Sequence, residues 1–251
     1  MARLVLVHGA FVGGWIWERL VEPLEAAGHT VEILDLPGSG DDQTPVEEVT
    51  LDAYAERVCA QLRQRPEPAV LVANSMGGLV STQAAARRPE QVEAIVYVAA
   101  FVPQDGQSLM ALTQLPEGAE DEIQANLVVE GDPPVGRMPD DASHGAQYAD
   151  CSDEDAAWAI ERQRPNPVAP FEAPVSIPDG AFDGIPRSYV LCTRDRSIPP
   201  ALQRRMVAEN GITEVIELET DHTPQLSSTA ELAEAVNRLV SRTREEGEVV
   251  R

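Results

Sequence analysis

A chain of 251 residues with 43% apolar and 24% charged side chains has the material for one globular domain with a sizeable core, which excludes a disordered or fibrous protein. Its nineteen basic residues are all arginine and face 42 acidic ones, so the net charge is −23, and nucleic-acid phosphates and an anionic membrane surface are disfavoured as partners. The lack of any lysine removes Schiff-base, phosphate-loop and general-base lysine chemistry.

In chain order, the start Met1-Ala2-Arg3 runs directly into residues 4–7, an apolar stretch too short for a signal-peptide core, so a cytoplasmic location is expected. Residues 4–7 read as the first strand and lead into His8-Gly9-Ala10. A second strand over 31–34 ends at Asp35. Behind Thr50, an N-cap residue type, Leu51, Tyr54, Ala55, Val58, Cys59 and Leu62 repeat at helical spacing and predict a covering helix. A third strand over 70–73 runs into Asn74-Ser75-Met76-Gly77-Gly78 and a helix-like stretch over 79–88. A fourth strand over 94–99 lies within the longest apolar run, 94–102, which is about half of what a bilayer-spanning helix needs.

From 103 to 186 the strand patterning stops. This stretch holds eleven of the twenty prolines and seventeen acidic residues against Arg137, Arg162 and Arg164, a net of −14. It reads as an insertion, partly helical around 153–162, lying over one end of the sheet as a cap or lid; the competing reading is an irregular acidic loop. Strands resume at 188–192 and 215–218, and a last helix carries Leu232, Val236, Leu239 and Val240 behind Ser228 and Glu231, which have capping-box spacing. The end of the chain, 242–251, is expected to fray. Apolar strands alternating with amphipathic helices predict an α/β fold, a mainly parallel sheet with helices on both faces. The core is expected over 1–102 and 187–251. Cys59, Cys151 and Cys192 are odd in number and far apart, which predicts free thiols rather than a disulfide framework or a metal site.

The chemistry gathers where strands end. Ser75 stands between a strand and a helix, where a tight turn lifts a serine hydroxyl above the sheet and points the next backbone N–H at the same spot. The usual pattern is G-x-S-x-G; Gly77 supplies the second glycine and Ala73 replaces the first. The competing role for Ser75 is a helix cap. A serine needs a base, and His222, after the last strand, lies at a sheet end of the same polarity. His29 belongs to the opposite end and is expected at the surface, His144 is expected to be an exposed residue of the insertion, and His8 is expected to be structural. Asp195, just after the strand 188–192, is the candidate carboxylate partner of His222. Asp221 and Asp35 are its alternatives, and Arg194 and Arg196 offer a reading of Asp195 as a surface ion-pair member. The order Ser75, Asp195, His222 is that of the α/β-hydrolases. An oxyanion hole would use the N–H groups of Met76 and Ala10. A phosphate loop over 9–15 fails on the missing lysine and on glycine spacing.

These residues carry a resemblance. Val7-His8-Gly9-Ala10, Gly13-Gly14-Trp15, Leu34-Asp35-Leu36 with Ser39-Gly40, Asn74-Ser75-Met76-Gly77-Gly78, Cys192-Thr193-Arg194-Asp195 with Gln203-Arg204-Arg205, and Asp221-His222 resemble the α/β-hydrolase superfamily, in its plant-type methylesterase and hydroxynitrile lyase branch. The resemblance covers the first hundred and last sixty-five or so residues. It implies the α/β-hydrolase fold, a Ser-His-Asp triad, no metal or organic cofactor, a helical cap over a small apolar pocket, and often a homodimer. Lyases of the branch place threonine after the first-strand histidine and lysine after the catalytic one; here Gly9 and Thr223 stand there, which favours an esterase. Asn74 stands where the branch commonly has histidine.

The sequence therefore predicts a serine carboxylic-ester hydrolase that acts on small neutral or cationic esters through an acyl-enzyme. Its activity should fall with pH through the His222 titration, near about pH 6 to 7 if that group is unperturbed. The alternatives are a hydroxynitrile lyase, a thioester or lactone hydrolase, and a non-catalytic binder of small ligands.

Overall fold

A computed structural model describes residues 1–249. Its strands in chain order are β1 (Arg3–Val7), β2 (Thr30–Ile33), β3 (Ala69–Ser75), β4 (Val92–Ala100), β5 (Val128–Glu130), β6 (Val135–Arg137), β7 (Asn166–Pro167), β8 (Arg187–Cys192) and β9 (Glu214–Leu218). Six of them form one parallel sheet in the order β2-β1-β3-β4-β8-β9. The near-continuous apolarity of these strands has a direct cause. In β1, Leu4 and Leu6 feed a core on one face while Val5 and Val7 feed a core on the other, and in β3 Val70 and Val72 oppose Leu71 and Ala73 in the same way. The helix Leu51–Leu62, capped by Thr50 whose Oγ1 accepts from Ala53 N–H at 3.0 Å, covers the core on the Val5 and Val7 face together with Met76–Arg87. The opposite core is closed by Glu18–Ala26 and the long C-terminal helix Thr229–Val249.

Three sequence expectations need correction. The stretch 103–186 is not free of strands, because β5, β6 and β7 form a small antiparallel sheet. These strands are only three, three and two residues long and include Pro167, too short to leave a period-two signal. The stretch beyond Arg242 does not fray where expected, since the last helix runs to Val249; residues 250 and 251 lie outside the described residues. His29 is buried rather than at the surface, and its Nε2 meets Asn237 Oδ1 on the C-terminal helix at 3.0 Å.

The stretch 103–186 leaves the sheet after β4 and returns over the ends of the other strands. Arg164 N–H donates to Phe11 O at 2.9 Å, Asp150 N–H to Asp221 Oδ2 at 2.9 Å, Glu122 N–H to Arg196 O at 2.8 Å, and Ser197 Oγ to Ala146 O at 2.9 Å. Every core partner in these bonds lies just beyond the C-terminal end of β1, β8 or β9. The segment thus covers the sheet edge at which ligands bind in open α/β folds. Among the described residues, no helix is long and apolar enough to cross a membrane.

Candidate active site

Ser75 ends β3 with φ 55° and ψ −126°, a left-handed conformation that costs a non-glycine residue about 1–3 kcal/mol. The turn closes because its neighbours lack side chains. A Cβ on Gly77 would lie 2.6 Å from Val7 O, one on Gly78 2.3 Å from Phe101 O, and one on Gly9 2.7 Å from the Ser75 Cβ. Ser75 directly precedes the twelve-residue helix Met76–Arg87 and makes no side-chain cap bond there, so the helix-cap alternative is not its role.

His222 is 3% exposed, and its Nδ1 donates to Asp195 Oδ2 at 2.9 Å. Because an ionised carboxylate only accepts, this bond fixes the proton on Nδ1 and leaves Nε2 as the basic nitrogen. Asp195 is saturated. Its Oδ1 accepts from Ser197 N–H at 2.8 Å and Ile198 N–H at 2.9 Å, and its Oδ2 also accepts from Gln203 Nε2 at 3.0 Å. Arg194 pairs with Asp150 and Arg196 with Glu122, so the ion-pair reading of Asp195 does not hold. Burial pushes the His222 pKa down, but Asp195, helped by Asp221 and Asp121, outweighs it, and the net shift is upward from the usual histidine value.

The other candidates have structural employment. Asp221 accepts from Asp150 N–H, Thr223 N–H and Ser227 Oγ, tying the segment over the sheet to the core. Asp35 accepts from Gly14 N–H and Asp41 N–H. His8 is fully buried, with Nδ1 against Gly9 O and Nε2 taking Leu36 N–H, and burial pushes its pKa down. His144 is half-exposed beside Asp153. Asn74 uses its side-chain amide to reach Val98 O at 3.0 Å and His222 O at 3.4 Å, which links the serine turn to the histidine loop.

Ser75, His222, Ala10 and Met76 line one cavity that opens partly to solvent, with Asp195 behind His222. Phe11, Phe101, Leu109, Ile123, Leu127 and Phe171 supply its apolar walls. Met76 is the first residue of its helix, and a first-turn N–H has no partner within the helix. Phe11, next to Ala10, sits at φ 67° and is pinned by Asn166 Oδ1, which accepts its N–H at 3.3 Å. Sequence reasoning missed Asn166 and the cavity-lining Asp121 and Gln147, since one acid among seventeen in the segment carries no mark of its position. Gln203 had a signal only within a quoted motif.

Residues 4–235 match the model of the alpha/beta hydrolase family. Salicylic acid-binding protein 2 of Nicotiana tabacum is 35% identical over 246 residues, covering 92% of this chain and 94% of its own length. Methylesterase 7 of Arabidopsis thaliana is 30% identical over 241 residues, covering 92% and 93%. The crystal structure of polyneuridine aldehyde esterase, a protein of Rauvolfia serpentina, superposes with a TM-score of 0.85 at 25% identity, covering 97% of this chain and 99% of that one.

Proposed function

The chain belongs to the alpha/beta hydrolase family, in the branch of plant methylesterases and hydroxynitrile lyases, and on that premise we propose that this esterase-type hydrolase cleaves small carboxylic esters through Ser75, His222 and Asp195. The observation that carries the reading is the buried 2.9 Å bond from His222 Nδ1 to Asp195, with Ser75 strained at the end of β3 on the same cavity.

His222 Nε2 takes the Ser75 proton as Oγ attacks the ester carbonyl, and the backbone N–H groups of Ala10 and Met76 stabilise the oxyanion. Collapse expels the alcohol, which leaves with the proton held by His222. Water, deprotonated by the same imidazole, attacks the acyl-enzyme; the carboxylic acid departs and Ser75 recovers its proton. Asp195 orients the ring and stabilises the imidazolium throughout. Residues 103–186 act as a cap that excludes water and shapes the pocket. Their net charge of −14 supports neutral or cationic substrates over anionic ones. A lyase would need a cation near the departing cyanide, and among the described residues only His222 and Asp121 are ionisable groups lining the cavity.

The test is Ser75→Ala assayed on p-nitrophenyl butyrate. The variant should fold and lose at least about 10³-fold in kcat. Hydrolysis persisting near the wild-type rate would refute the assignment, and cyanohydrin cleavage exceeding ester cleavage would move the chain to the lyases.

A further inference from the structure

The polar groups on the roof of the cavity are not accounted for by ester cleavage. Asp121 is 5% exposed and lines the cavity with Ser75 and His222, yet it belongs to the segment over the sheet rather than to the sheet rim. It caps the helix Glu122–Asn126, and both bonds of that cap, from Ile123 N–H at 2.8 Å and Gln124 N–H at 3.0 Å, go to Oδ1. Among the described residues, Oδ2 accepts no hydrogen bond from the protein. The residue as a whole is nearly buried, but this oxygen still touches the accessible space of the cavity, where a donor on an incoming ligand can reach it. Its position is fixed as well as unpaired, because Glu122 N–H donates to Arg196 O, one residue beyond Asp195.

A second polar group on the same roof complements it. Gln147, also 5% exposed, closes the helix Asp140–Gln147, which packs against the helix that Asp121 caps. Its Oε1 accepts from Gln163 Nε2 at 2.7 Å and from Ser143 Oγ at 3.3 Å, whereas its Nε2 donates to no described residue. The roof therefore presents an unpaired acceptor and an unpaired donor to a cavity whose walls are mostly apolar, with Thr113, Gln124 and Ser197 as its other polar residues beside Ser75 and His222.

We propose that Asp121 is a specificity-determining residue that selects esters carrying a hydrogen-bond donor, a hydroxyl or an ammonium group, away from the reacting carbonyl. The proposal rests on the esterase reading above and names the substrate class of that same site. Burial pushes the Asp121 carboxyl up to about 6, against its two backbone bonds, so it is largely ionised at the mildly alkaline pH of an esterase assay. Gln147 ranks the hydroxyl first, because a hydroxyl both gives to Asp121 and takes from an amide, whereas an ammonium group only gives. An anionic substituent meets the like charge of the Asp121 carboxylate and is rejected.

The experiment uses methyl esters of phenylalkanoic acids with one to three methylenes, each bearing a para hydroxymethyl, aminomethyl, ethyl or carboxyl group, with kcat/KM measured at pH 8. Hydroxymethyl, aminomethyl and ethyl are matched in size. At one chain length at least, the full-length protein should favour the hydroxymethyl over the ethyl ester by about tenfold or more, and the carboxyl ester should be the poorest. In Asp121→Asn, which keeps an N-cap residue type and removes the charge, that ratio should collapse towards one, with unfolding midpoints reported alongside. Ethyl esters preferred at every length, or a donor preference that survives Asp121→Asn, overturn the proposal. Aminomethyl ahead of hydroxymethyl overturns the part given to Gln147. No turnover of any ester would instead strike the esterase reading, so the two failures are distinguishable.

Discussion

The cavity has two walls built on opposite rules. At the sheet rim the groups that hold the base in place are satisfied by the protein itself: Asp195 takes four N–H donors, and His8 uses both ring nitrogens. On the roof, the carboxylate of Asp121 and the amide of Gln147 each leave an atom unpaired. A group that must be aimed within a fraction of an ångström is held by a complete set of hydrogen bonds, whereas a group meant to meet a ligand keeps a bond in reserve. The difference separates orientation from recognition.

The largest expected break in that contrast comes at the rim. Asp195→Asn preserves shape but lets the imidazole adopt the wrong tautomer, and kcat should fall about 10⁴-fold, as measured on p-nitrophenyl butyrate. A loss below tenfold would mean that Asp195 does not orient the base. Next is Gln203→Leu, which strips one donor from Asp195 and leaves Cys192 N–H without the Gln203 oxygen it now uses. A loss of about tenfold in kcat, with KM little changed, is expected from one such buried bond. Asp221→Ala should register mainly in stability, because it frees Asp150 N–H, Thr223 N–H and Ser227 Oγ at the joint between core and roof. A drop in Tm of about 2–4 °C per kcal/mol lost is the scale for a chain of this size, and calorimetry would measure it. An unchanged Tm would detach Asp221 from that joint.

The smallest effect is the position of the pH profile. Because the folded-state pKa of His222 is raised, its protonation stabilises the fold below the usual value near 6.5, and that contribution is lost as pH rises through the raised value. Activity runs the opposite way, since only the neutral ring is a base. The profile of kcat/KM should therefore climb through a midpoint above about 6.5. A midpoint at or below that value would show that burial, and not Asp195, sets the titration.

What could be read before the fold was known follows the same division. The rim was legible because its parts sit at strand ends: the alternation of Leu4, Val5, Leu6 and Val7 between two cores produces an apolar run, and the runs place Ser75, Asp195 and His222 at one edge. The substitution of Asn for the branch's usual histidine at position 74 has a visible consequence, a side-chain bond to His222 O, that no motif announces. The roof was not legible. Its strands are too short to have a period, and its helices begin at caps such as Ser108, Asp121 and Ser152 within a composition dominated by acid and proline. His29 was misplaced for a related reason: its partner Asn237 is more than two hundred residues away, and the contact exists only once the C-terminal helix docks.

The central claim is that the hydroxyl of Ser75 is the nucleophile activated at the rim. Treating the full-length protein with a fluorophosphonate and locating the adduct by peptide mass spectrometry tests it most directly. The account predicts one adduct, on Ser75, forming in step with loss of esterase activity and much more slowly in Asp195→Asn. An adduct on another residue that tracks the lost activity, or full esterase activity with Ser75 fully modified, would contradict it.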